Sequence, residues 1–342
     1  MEFLQYTTFN SLAKFKDEWN RLVNFSASQV PFLTFEYLQA WWETRGGGEW
    51  PEDSELVLVA AFQDRHLVGV APLFQAKNVQ GKQALLFVGS FEVSDYLDFI
   101  VPPKDLPAFI SGLLDFLKNA PGIPSWETLD LFNLLGDTPT IKLLKAEAER
   151  RGWLFNQFHL QPAPYIPLQG DFQAYLAGIK KKQRHEIRRK VRNLEQHLAK
   201  GELYITQDVH QLDSDIDTFI EMMAQDPNKR EFLTDEMRKH LHSTAQTAFQ
   251  HNWLQLAFLT LDGNKAAANM SFIWDNRLWL YNSGWEWDYR DLSPGWILLT
   301  YLIQWATENN IEEFDFMRGD EPYKYKFGGI DRHVYRVILA KK

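Results

Sequence analysis

ELVLVAAFQDRHLVGVAPLF (Glu55–Phe74) and WLQLAFLTLDGNKAAANMSFIW (Trp253–Trp274) are two versions of one pattern. Each is an apolar strand, a short polar turn (Asp64-Arg65 or Asp262-Gly263-Asn264) and a second apolar strand, the signature of a β-hairpin. The likeness continues downstream. After the first hairpin come ALLFVGS (Ala84–Ser90), a helical stretch LPAFISGLLDFLKN (Leu106–Asn119) and the strand ETLDLFNL (Glu127–Leu134). After the second come LWLYNSGW (Leu278–Trp285), a helical stretch from Pro294 to Asn310 and the strand FDFM (Phe314–Met317). The same order twice predicts a duplicated α/β chain, with two lobes of mixed sheet flanked by helices.

The bulk numbers agree with two lobes. A chain of 342 residues is longer than one core usually serves. Hydrophobic residues at 45% and charged residues at 24% describe a globular protein. There is no cysteine, which excludes disulfides, thiolate metal sites and a Cys nucleophile and fits a cytoplasmic location. The nine histidines form no HExxH-like cluster, and His240 and His242 are too close in sequence to share a helix face, so no metal is expected. The start lacks the basic and apolar regions of a secretory signal, and no apolar run is long enough to span a membrane. A net charge of −9 argues against general nucleic-acid binding.

Between the halves, Phe172 to Lys200 reads as one long helix, with Ile187, Val191, Leu194 and Leu198 on its buried stripe and Gly201 as its stop. Eight of the thirteen residues from Lys180 to Arg192 are Lys or Arg, the only concentrated basic run in this acidic chain. The Pro-rich QPAPYIP (Gln161–Pro167) should be extended, which places the lobe boundary at 168/169, giving lobes 1–168 and 169–342.

DYRDLSPGWILL (Asp288–Leu299) carries the clearest chemistry. Ser293 is a preferred N-cap, Pro294 suits the first helical position and Gly295 lets a ligand approach the backbone. A packed helix N-terminus with free N–H groups favours phosphate, although Ser-Pro-Gly also serves simply to start a helix.

FLTFEYLQAWWE (Phe32–Glu43), LVGVAPLF (Leu67–Phe74), VSDYLDFIV (Val93–Val101), the basic helix, SPGWILL (Ser293–Leu299) and FDFMRGDEPYKYKFG (Phe314–Gly328) together span nearly the whole chain. In this order they resemble tandem-lobe acyltransferases of the GNAT type, above all the acetyltransferases of cellulose and exopolysaccharide clusters and, more distantly, Fem-type peptidyl transferases. The resemblance implies acyl-CoA as co-substrate, held by the loop between a bulged strand and the next helix: Asn282, Ser283, Gly284, Trp285, Arg290, Ser293, Pro294, Gly295 and Trp296. The usual phosphate loop of the family, an Arg or Gln followed by two spaced glycines, is reduced here to Arg290, Ser293 and Gly295. The first lobe has VPPKDLP (Val101–Pro107) before its helix and no such turn, which implies a supporting or acceptor-binding lobe.

Acyl transfer to an amine needs a base, an oxyanion donor and an acid for the thiolate. Asp315 and Glu286 are candidate bases, backbone N–H groups at the Asn282–Trp285 bulge the oxyanion donors, and Tyr323 the acid. Asp315 has a second reading, a structural ion pair with Arg318, Lys324 or Lys326. Asp95, Tyr96 and Asp98, with Arg318 and Lys324, are candidates for binding the acceptor; a plain turn explains SDYLD equally well. The aromatic cluster Trp279, Tyr281, Trp285, Trp287, Tyr289 and Trp296 is core, pocket wall or a sugar-stacking surface. The expected function is acyl transfer to an amine or hydroxyl of a small or sugar-like acceptor. The alternatives are a Fem-type transferase using charged tRNA bound through Lys180–Arg192, and an inactive scaffold of polysaccharide assembly.

Overall fold

The computed structural model describes residues 1–196 and 200–341. The chain forms two compact units, Met1–Gln161 with His333–Lys342, and Pro162–Arg332.

The first unit holds β1 (Glu2–Tyr6), α1 (Lys16–Val23), α2 (Phe35–Gly48), the hairpin β2 (Glu55–Gln63) and β3 (His66–Lys77), β4 (Gln83–Phe87), α3 (Leu106–Asn119), β5 (Thr128–Leu135) and α4 (Pro139–Arg151). The start of β6 (Leu154–Pro167) also belongs to it. Leu56 to Phe62 of β2 are all buried, so the strand reads as a continuous apolar run instead of an alternating one. Gly152, at φ 67°, closes α4 in the left-handed conformation that glycine adopts without strain.

The second unit continues with α5 (Phe172–Gly178), α6 (Lys181–Gln196), β7 (Gly201–Ile205), α7 (Val209–Met223), α8 (Pro227–Phe232) and α9 (Asp235–Gln250). Then come the hairpin β8 (Leu254–Leu261) and β9 (Asn264–Trp274), β10 (Arg277–Trp285), α10 (Pro294–Glu308), β11 (Glu313–Asp315) and α11 (Pro322–Lys326). The last strand, β12 (Ile330–Ala340), returns to the first unit and pairs antiparallel with β5.

The duplication is visible in the pairing. In the first unit β1, β2, β3 and β4 are antiparallel neighbours, β4 and β5 are parallel, and β12 closes antiparallel on β5. In the second, β7 to β10 are antiparallel neighbours, β10 and β11 are parallel, and the end of β6 closes antiparallel on β11. The two sheets therefore have one plan, as the twin hairpins predict.

Several boundaries differ from the sequence reading. QPAPYIP is extended, but as part of β6, so the division falls at 161/162 and residues 333–342 belong with the first unit. The long helix breaks after Gly178, where Ile179 is extended at ψ 161°, giving α5 and α6; Gly201 opens β7, and Leu198 lies outside the described residues. FDFM is a strand only as far as Asp315, because Met317 turns to φ 61°.

Candidate active site

The site is built where two strands part. β10 pairs with β9 along its length but with β11 only over Arg277–Trp279, so from Leu280 onward one edge of β10 has no strand partner among the described residues. A register shift between Leu280 and Asn282 makes Tyr281 the bulge residue, earlier than the expected Asn282–Trp285. Beyond it the ladder alternates. Glu286 N–H donates to Ala266 on the β9 side, so the peptide groups of Ser283 and Trp285 face the open edge.

Two neighbours hold that edge. The Ser283 N–H donates to Asn282 Oδ1 at 2.9 Å, and Lys229 of α8 donates to Asn282 Oδ1 at 2.9 Å and to the Ser283 carbonyl at 2.5 Å. Burial pulls the Lys229 ammonium below the usual lysine range, with Asp226 and Glu321 opposing. At Gly284 a Cβ would stand 2.5 Å from the backbone of Met222 and Met223, so the end of α7 lies directly against β10 and only glycine fits.

One cavity, of about 210 Å³, opens on the α10 side of this edge and is lined by Asn269, Leu280, Ser283–Trp285, Gly295, Trp296, Leu299, Tyr323 and Phe327. Pro294 and Gly295 open α10, as their sequence order predicts. Ser293 sits at the N-cap but at φ 55°, and its hydroxyl makes no capping bond; Lys190 of α6 holds it at 2.7 Å. The Gly295 N–H has no partner among the described residues, since the Trp296 and Ile297 N–H groups return to Ser293 O. Two ammonium groups stand over the Trp296 ring, Lys190 at 5.0 Å and Lys326 at 5.5 Å from its centroid. A free N–H at a helix N-terminus beside two cations is a setting for an anion.

A second cavity, of about 300 Å³, lies on the α7–α8 side and shares Ser283–Trp285 as its wall. Gln225, Asp226, Asn228 and Lys229 give it polar groups. Trp285 and Trp287, 38% and 45% exposed, stack there with ring planes 11° apart.

Comparison with known proteins bears on this geometry. Residues 181–325 match the family model described as acetyltransferase (GNAT) domain. FemX is similar in structure over 98% of this chain and 97% of its own, at 11% identity and a TM-score of 0.67. So are L-PGS from Bacillus licheniformis (12% identity, 90% and 91% covered, TM-score 0.53) and a tandem GNAT protein from the clavulanic acid biosynthesis pathway (12% identity, 100% and 99% covered, TM-score 0.50). The second lobe thus matches an acetyltransferase (GNAT) domain, and the chain as a whole has a tandem GNAT-like fold. No curated protein matches it in sequence.

In the second GNAT lobe, Ser283, Gly284, Trp285, Gly295, Trp296 and Tyr323 meet at one cavity. Arg290 lies exposed in the turn before α10, away from both cavities, while Pro294 is buried and Asn282 is engaged by Lys229. Burial raises the Tyr323 hydroxyl well above the ordinary tyrosine range, with Glu321 adding to it, so the proton is held for donation. Glu286 stands between the two stacked indoles in sequence, half-buried; burial and the nearby Asp288 and Glu221 raise its carboxyl.

Other candidates are placed differently. Asp315 is fully buried, accepts from the Met317 N–H at 2.6 Å and faces Arg332 at 3.8 Å, a cation outside the three expected partners. Lys324 is buried too, bonding the carbonyls of Met317, Arg318 and Gly319 and pairing with Glu321 at 2.9 Å, which commits it to holding the loop. Arg318 is half-buried on that loop. In the first lobe Asp95 and Tyr96 are buried, and Asp98 accepts from Ser28, Thr138, Thr140 and the Phe99 N–H. Asp95, Tyr96 and Asp98 of SDYLD thus all lie buried. Among the described residues no cluster could hold a metal ion, and no helix is long and apolar enough to cross a membrane.

Lys229 is absent from the sequence-derived set, and Lys190 and Lys326 stand there in other roles. Lys190 belongs to the basic run, but only the fold brings it to Ser293; nothing in DPNKR (Asp226–Arg230) marks Lys229.

Proposed function

We propose that the second lobe transfers an acyl group from an acyl-CoA to an amine or hydroxyl of a small or sugar-like acceptor. One observation carries the reading: the open edge of β10 lies against an α10 N-terminus whose Gly295 N–H has no partner among the described residues and which has the cations Lys190 and Lys326 beside it. The residues present suit a CoA pyrophosphate at Gly295, and the Leu280, Trp296 and Leu299 walls suit its pantetheine arm. Acyl-CoA supplies an activated thioester.

The chain then supplies three groups. The Trp285 N–H, on the open edge, donates to the oxyanion. Glu286, its carboxyl raised by burial and by Asp288 and Glu221, takes the proton of the attacking amine or hydroxyl. Tyr323, kept protonated by burial, gives its proton to the leaving thiolate. The cavity behind Ser283–Trp285 receives the acceptor, with Trp285 and Trp287 as a flat face for a sugar ring, as in polysaccharide assembly. The first lobe supports this one.

Titration of the protein with acetyl-CoA, longer acyl-CoAs and tRNA, followed by thiol release over an acceptor panel, tests the reading. Acyl-CoA binding with acceptor-dependent thiol release supports it; binding to tRNA alone overturns it.

The exposed face of α6 favours a second reading, an aminoacyl-tRNA donor. Six of its cations and those just before it, Lys180, Lys181, Lys182, Arg188, Arg189 and Arg192, are exposed. Reversal of Lys181, Arg188 and Arg192 to Glu lowers tRNA affinity and flattens its salt dependence if that reading holds, and leaves both unchanged if the helix is a solvated bridge.

A further inference from the structure

Below the α10-side cavity the sheet carries polar groups that the fold does not satisfy. Asn269 lines the cavity, and Ser271 follows two residues along β9 on the same face. Ser271 pairs across the sheet with Gln255 of β8 on one side and with Leu280, another cavity residue, on the other. Gln255 is 2% exposed and Ser271 0%, yet Gln255 Oε1, Gln255 Nε2 and Ser271 Oγ have no hydrogen-bond partner among the described residues. The same face carries Ala257 and Leu280, members of an apolar core that also holds Leu299, Leu302 and Ile303. Leaving such groups unpaired is costly, and an alanine and a leucine would fill the same space without loss. Two orphaned polar side chains set side by side, one step deeper than a cavity floor, are what a site for a ligand's polar group looks like from inside.

We propose that the acyl group this lobe carries bears a hydroxyl, which reaches past Asn269 to Ser271 and the Gln255 amide. The inference rests on the acyl-CoA reading of the cavity and names the donor class within it. Two residues along a strand span about 7 Å, the reach of a short acyl chain entering beside Leu280. Ser and Gln are neutral and both donate and accept, which suits a hydroxyl. They offer no cation, so a carboxylate at the same place would be buried without a counter-charge. An unsubstituted acetyl or butyryl group would leave all three atoms unpaired.

The experiment compares thioesters of equal length: butyryl-CoA against 3-hydroxybutyryl-CoA, and hexanoyl-CoA against 3-hydroxyhexanoyl-CoA, with acetyl-CoA as reference. Thiol release is measured with glucosamine as acceptor, and donor binding by calorimetry without acceptor. The hydroxylated member of at least one pair should lead in kcat/KM or affinity by about 10- to 100-fold, the value of one to two hydrogen bonds to buried polar groups. Ser271→Ala and Gln255→Leu should each erase that preference, and Gln255→Leu should also raise the melting temperature. Equal use of both members of each pair, or an unchanged preference in both variants, overturns the inference while leaving the acyl-CoA reading intact. Failure of every thioester to bind overturns that reading, and this inference with it.

Discussion

Replacing Gly295 with Glu separates ligand binding from folding better than any other change in the lobe. A Cβ at Gly295 meets only Trp285 Cδ1, at 3.7 Å, an ordinary contact, and the residue has a helical backbone, so a side chain enters without strain. Glycine inside a helix costs about 0.5–1 kcal/mol relative to alanine, and an acid in the first turn gains about 0.3–1 kcal/mol from the helix dipole. The variant should therefore melt at or above the wild-type temperature. Its carboxylate would stand on the order of 5 Å from a phosphate at the helix N-terminus. One charge pair at that distance, in an effective dielectric of about 20, is worth roughly 3 kcal/mol of repulsion, or about 100- to 200-fold in Kd. Gly295→Gln, of the same bulk without the charge, should lose much less. Calorimetric titration with acetyl-CoA beside a thermal melt measures both quantities. Wild-type affinity in a folded Gly295→Glu protein would refute the assignment of the phosphate site.

Four other changes follow from the same geometry. Tyr323→Phe should lower turnover about 10²- to 10⁴-fold and spare donor affinity; normal turnover in single-mixing kinetics would hand the thiolate proton to water or the acceptor. Glu286→Gln should lower turnover by a similar factor and remove the acidic limb of the pH–rate profile. In the wild type that limb sits above the ordinary glutamate range, because a raised carboxyl must be deprotonated to act; an unshifted limb in the variant would dismiss Glu286 as the base. Asp315→Asn, which breaks the pairing with Arg332, should cost about 3 kcal/mol in denaturant unfolding and leave turnover per folded molecule near wild type; the reverse pattern would restore Asp315 as the base. His240, which burial pulls down to about 4, stays neutral in the fold while the unfolded chain protonates near 6.5. Its contribution is present above pH 6.5 and lost as pH falls toward 4, about 3 kcal/mol in all. His240→Gln should flatten stability against pH across that window, and an unchanged slope would place the acid sensitivity elsewhere.

The plan of the fold was legible because it is carried by local pattern repeated. Both hairpins, the helix at Leu106–Asn119 and the helix that starts at Pro294 appear where apolar periodicity and turn chemistry place them. The exchange of closing strands was not legible. That β12 completes the sheet of the first lobe, and β6 that of the second, depends on pairing across large sequence separations, and neither strand announces its partner. The site divided along the same line. Ser293-Pro294-Gly295 marks its helix by capping chemistry alone, and the strand before it was found by its position in the repeat. Asp315 and Asp98 could be read only in part, because a carboxylate in an apolar segment looks the same in sequence whether it awaits a substrate or braces a core. Arg332 seventeen residues on, or threonines at 138 and 140, come beside them only in three dimensions. Lys229 and the Gln255–Ser271 pair were invisible for the reverse reason: nothing about them is unusual until the fold sets them beside β10 and inside the core.

The central claim is that the N-terminus of α10 holds the pyrophosphate of a CoA thioester. Equilibrium binding of CoA, dephospho-CoA and pantetheine to the intact protein tests it most directly. CoA and dephospho-CoA, which share the pyrophosphate, should bind within a few-fold of each other, and pantetheine, which lacks it, should bind at least about 10-fold more weakly, since one charge-assisted contact to Gly295, Lys190 or Lys326 is worth roughly 1.5–3 kcal/mol. Pantetheine binding as tightly as CoA, or no binding by any of the three, would contradict it.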